Sequence, residues 1–109
     1  MNKKLLYTLF ILLNVSAISL LQNFSLLVVL ILSLAGYAVI TIEKEKKFIP
    51  IYWIIFLGGP LLEAVAIHFG VWSYKNPVVI GVPLWLPFLW GNASLVVAKL
   101  TLTLTKPAK

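Results

Sequence analysis

Four apolar runs, 5–21, 24–42, 48–69 and 78–98, make up most of the chain, and charged residues fall almost entirely between or beyond them. Each run has about the length a helix needs to cross a hydrocarbon core of roughly 30 Å, at about 1.5 Å per residue. None carries the wet face that a helix of a water-soluble domain requires. The pattern predicts an all-α protein, a four-helix transmembrane bundle formed as a single membrane domain over 1–109. Thr and Leu alternate over 101–105, directly after the fourth run, and this reads as the end of a helix rather than a strand.

The lysines orient the bundle. Lys3 and Lys4 precede the first run, Lys44, Lys46 and Lys47 separate the second from the third, and Lys99, Lys106 and Lys109 follow the fourth. The Gln22-Asn23 turn is uncharged, and the third connection carries only Lys75. By the positive-inside rule both termini are expected on the cytoplasmic side of the cell membrane, an N-in/C-in topology. Lys3, Lys4 and Val15-Ser16-Ala17 also have the outline of a cleaved signal peptide. The run nevertheless stays apolar to Leu21 and turns at once into another, as a helical hairpin does.

Composition removes other classes. Hydrophobic residues are 61% and charged residues 11%, far from soluble globular usage. The net charge of +6 sits at the ends of apolar runs instead of on one face, so nucleic acid is excluded as a partner and membrane lipids are expected. Without cysteine there are no disulfides, thiolate metal sites or Cys nucleophiles. No Gly-rich phosphate loop, His pair at metal-ligand spacing or Ser/His/Asp set is visible, so neither a cofactor nor a metal is expected.

Candidate chemistry lies in the polar residues within the runs. An ionisable group in hydrocarbon is costly, which makes Glu63, deep in the third run, the most informative residue. Its helical face of Phe56, Gly59, Pro60, Ala66, Ile67 and Gly70 is mostly small, so Glu63 is expected to face the bundle. By depth its partners are expected among Ser16, Ser19 and the segment 83–85. His68, the one imidazole, is a second acid–base candidate, but it lies about 140° around the helix from Glu63. Asn14, Tyr37 and Asn92 fall on three runs at a common depth, about 10 Å from the lysine-rich boundary, and predict a structural polar layer. Pro60, Pro83 and Pro87 are expected to break the third and fourth helices, freeing the carbonyls of Phe56, Val79 and Pro83.

The run from Glu63 through His68, Gly70, Trp72 and Tyr74, followed by Gly81-Val82-Pro83 and Pro87, resembles a pattern of membrane-embedded carotenoid enzymes. It looks like the acid, Gly, Trp and Tyr run of lycopene cyclase domains and carotenoid hydratases, and it covers the last half of the chain. The resemblance implies that Glu63 is a proton donor to a polyene and that Trp72 and Tyr74 stand at the mouth of the site. Cyclases follow a Pro with paired acids, whereas Phe88, Leu89 and Trp90 follow Pro87 here, so the implied site has a single acid.

The expected function is therefore binding or acid–base processing of an apolar isoprenoid- or carotenoid-like lipid. Glu63 and His68 are the catalytic candidates, and Trp72, Tyr74, Trp85 and Trp90 the ligand-binding walls. Two alternatives stand beside it. One is a proton-coupled transporter resembling small multidrug exporters in length, span number and use of one intramembrane Glu. The other is a non-catalytic membrane subunit or scaffold. Four helices enclose little volume, so a homo- or hetero-oligomer is expected.

Overall fold

The computed structural model describes residues 3–74, 77, 78 and 80–105. Lys75, Val79, Lys106 and Lys109, used above, lie outside them. The described chain forms α1 (Lys3–Leu21), α2 (Ser25–Glu43), α3 (Phe48–His68) and α4 (Leu86–Thr105). All four are long and apolar enough to cross a membrane, as expected of a multi-pass membrane protein. Their outward faces carry Leu9, Leu12, Leu26, Leu34, Leu61 and Leu62, which suits a hydrocarbon solvent and not water.

The first three helices fall within a few residues of the first three apolar runs because polar or conformational stops bound them. The α1–α2 turn is tight, with the Phe24 N–H donating to the Leu21 carbonyl at 2.7 Å. Lys44 ends α2 in the left-handed region (φ 56°), its N–H returning to the Ile40 carbonyl. Gly70 (φ 76°) ends α3 with a Schellman closure. Its N–H donates to the Ile67 carbonyl, and the Val71 N–H reaches back to the Ala66 carbonyl, each at 3.0 Å.

The fourth helix corrects the sequence reading. The run 78–98 predicts a helix broken by prolines, but α4 begins only at Leu86 and continues through the threonines to Thr105. Pro87 is its second residue, where a missing N–H deprives no carbonyl of a partner. Pro83 lies before the helix, and its carbonyl is not free, because it accepts from the Leu86 N–H at 3.1 Å. The apolar residues before Leu86 form a folded-back segment. It turns at Ile80 (φ 46°) and Gly81 (φ 84°), places Gly81 against Ile67 of α3, and buries Val82, Pro83 and Trp85. Apolar content alone could not separate this buried loop from a span.

α4 lies at the centre of the packing: it meets α3 most extensively and α2 next, while α1 leans on α2. One core cluster, of Tyr7, Phe10, Val39, Phe48, Tyr52 and Leu95, fills the lysine-rich end. Another, of Ala17, Val28, Leu32, Val82, Trp85 and Leu86, fills the opposite end. α3 and α4 come close because glycine yields space to rings: a Cβ on Gly91 would lie 2.5 Å from Cζ of Tyr52. Gly58, by contrast, faces open space.

That contrast makes a prediction. Gly91→Ala should cost about 1–3 kcal/mol of stability by overpacking against Tyr52. Gly58→Ala should be neutral or gain up to about 1 kcal/mol from helix propensity. Thermal unfolding in detergent compares the two, and equal effects would refute the close α3–α4 contact.

Candidate functional site

Glu63 lies fifteen residues into α3, at roughly 22 Å from the lysine-rich end. Both oxygens of its half-buried carboxyl are engaged. Tyr74 donates its hydroxyl to Oε1, and Trp90 donates its indole N–H to Oε2. The backbone explains both contacts. The Gly70 closure turns the chain so that Tyr74 returns to the bundle, and Trp90, in the second turn of α4, lies over Gly59, one helical turn below Glu63. Any side chain at Gly59 would collide with the Trp90 ring, so the small face of α3 serves an indole and not a bare helix backbone.

Tyr74 also meets Trp85 edge-on, with ring centroids 6.1 Å apart. Burial, and next the hydrogen bond to Glu63, holds the Tyr74 phenol above its ordinary range. The buried Trp85 indole N–H has no acceptor among the described residues. Chemically, the Tyr74–Glu63 pair is a carboxyl and a phenol able to share a proton through one hydrogen bond.

Trp90 has a second role. It closes one end of a groove of about 460 Å³ between α3 and α4, walled by Phe48, Ile51, Ile55 and Ala93 and reaching Lys47 at the other end. That volume is in the range of small-molecule sites. A smaller cavity of about 300 Å³ lies where α3 meets the folded-back segment, between Phe56, Pro60, Val82, Pro83 and Pro87. Glu63 lines neither, and it reaches the larger groove only through Trp90.

The remaining expected residues separate. Asn92 donates to Oδ1 of Asn14 (2.8 Å) and to the Leu32 carbonyl (2.9 Å), and Asn14 donates to the Phe10 carbonyl (2.7 Å). Tyr37 does not join them: at 72% exposed it points away from the bundle, so the layer comprises two asparagines and two backbone carbonyls. Oδ1 of Asn92 faces Gly36, which has no side chain to obstruct it. His68 is exposed at the end of α3, its ring 5.2 Å from that of Phe69, and takes no part in the Glu63 contacts. Trp72 is 45% exposed and also stands apart from them. Ser16 and Ser19, expected near Glu63, are exposed on α1.

One cluster escaped sequence reasoning. The Glu43 side chain, 6% exposed, accepts from Nζ of Lys3 (2.6 Å) and the Tyr7 hydroxyl (2.5 Å), and pairs with Lys99 at 3.3 Å. Its signal was an acid at the lysine-rich end of the second run, level with lysines on two others. No group of three His, Cys, Asp or Glu able to hold a metal occurs among the described residues. Comparisons with protein-family models, with curated proteins and with solved structures find no match to this chain.

The Glu63 contact makes a prediction for the Tyr74 phenol. In Glu63→Gln the Tyr74 phenol loses the carboxylate that disfavours its ionisation, so its pKa should fall while burial still keeps it above that of free tyrosine. Tyrosinate absorbance, with Tyr74→Phe as the subtraction, measures this. An unchanged titration would reject the Glu63–Tyr74 contact.

Proposed function

We propose that this is a multi-pass protein of the cytoplasmic membrane, with both termini inside, that binds an apolar isoprenoid- or carotenoid-like lipid and presents Glu63 to it as an acid. The observation that carries the reading is the double use of Trp90. Its indole is the end wall of an apolar groove and, at the same time, the hydrogen-bond donor to Glu63. A lipid chain in the groove thus ends one side chain away from the acid. With the Trp90 indole turned aside, the acid would meet the chain directly, donate a proton to an alkene carbon and, as its conjugate base, take one back from a neighbouring carbon. The double bond moves and no other reactant is consumed. Tyr74 positions the carboxyl for this exchange. A second copy or another membrane subunit completes the enclosure that four helices cannot provide alone.

A second reading draws on the same hydrogen bonds. Because both Glu63 oxygens are held by donors from its own chain, the residue could serve only to join α3 to α4 and the folded-back segment. Glu63→Gln separates the two, since an amide keeps the shape and one acceptor but cannot exchange the proton usefully.

Protein purified from its native membrane should carry a polyisoprenoid or coloured lipid, detected by extraction and mass spectrometry, and Trp90→Ala should lose it. Glu63→Gln should stay folded and abolish lipid conversion; retained conversion would leave Glu63 as an interhelical joint. Reporter fusions at both ends check the topology, and an external C-terminus would overturn it.

A further inference from the structure

We infer that the α3–α4 groove takes the chain of an anionic lipid whose headgroup phosphate rests on Lys47. The inference rests on the reading that this groove holds a lipid chain, and it is independent of what Glu63 does. Along α4 the groove runs from Trp90 to Leu102, twelve residues or about 18 Å. Half of a hydrocarbon core of roughly 30 Å is about 15 Å, so the groove is one leaflet deep. Its walls ask for nothing polar. The two hydroxyls in them are already spent on their own helix, Ser94 on the Gly91 carbonyl (2.5 Å) and Thr101 on that of Val97 (2.8 Å). The Trp90 N–H is likewise committed to Glu63.

Among the described residues Lys47 is the one charged residue lining the groove, and it stands at the end away from Trp90. The ion pairs among the described residues use Lys3 and Lys99, both on Glu43, and leave Lys47 aside. Lys47 directly precedes α3, so the positive end of that helix adds to its field. Lys44 and Lys46 are exposed in the same connection. An apolar trough one leaflet deep, with a cation at its interfacial end only, complements an amphiphile with a negative head and a single polarity of insertion. A neutral chain would fill the same trough without using the ammonium.

The test is native mass spectrometry of the full chain in detergent, titrated with dioleoyl phosphatidylglycerol and, separately, dioleoyl phosphatidylcholine. Phosphatidylglycerol should bind more tightly, and Lys47→Gln should weaken it about fivefold, the effect expected of one lysine at an anionic surface. Lys46→Gln removes the same charge from a residue that does not line the groove and should have a smaller effect. Ala93→Phe and Ala98→Leu, which fill the trough, should weaken both lipids, with thermal unfolding as the check on folding. Equal binding of the two lipids, or equal losses in Lys46→Gln and Lys47→Gln, would overturn the phosphate assignment while leaving a chain-binding groove. Unchanged binding of both lipids in folded groove-filling variants would overturn the groove itself.

Discussion

In hydrocarbon a buried polar side chain has no water to turn to, so it must be answered by another part of the protein. This bundle meets much of that demand at three levels, with α4 taking part in each, and leaves the Trp85 indole N–H and Oδ1 of Asn92 without partners among the described residues. At the lysine-rich end Lys99 joins Glu43 of α2, which also holds Lys3 and Tyr7 of α1. In the middle Asn92 binds Asn14 of α1 and the Leu32 carbonyl of α2. Toward the other end Trp90 binds Glu63 of α3. Apolar packing alone discriminates poorly between rotations of a leucine-rich helix in lipid, because the tails are as apolar as the side chains. Three directional contacts on one helix remove that freedom.

The same contacts account for the small residues. Gly36 lies beneath the Asn92 amide, Gly91 beneath the Tyr52 ring and Gly59 beneath the Trp90 indole. Each glycine is the complement of a large or polar group on a neighbouring helix. The directional contacts and the close approaches therefore depend on one another: without the gap at Gly59 the indole could not lie where its N–H meets Glu63.

Much of this was legible in the residues. The lengths of the first three helices followed from apolar runs bounded by Gln22-Asn23 and by the lysines, and Glu63 stood out because ionisable groups are rare in such runs. Depth counting put Asn14 and Asn92 on one level. It could not say which way a side chain turns, and Tyr37, at the same depth, points outward. Nor could it see that Tyr74 folds back, because that depends on the backbone turn at Gly70. The partners of Glu63 were sought in helices at its own level, whereas one came from a loop. The start of α4 was misplaced for a related reason: residues buried in a folded segment are as apolar as residues buried in lipid.

The late start of α4 has a mechanical consequence. Between Trp90 and Thr105 the helix runs about 22 Å with no proline, and its threonine hydroxyls at 101, 103 and 105 are tied back to its own carbonyls. One uninterrupted helix therefore carries both the Trp90 donor to Glu63 and the Lys99 partner of Glu43, so the two contacts near its ends are referred to a single axis.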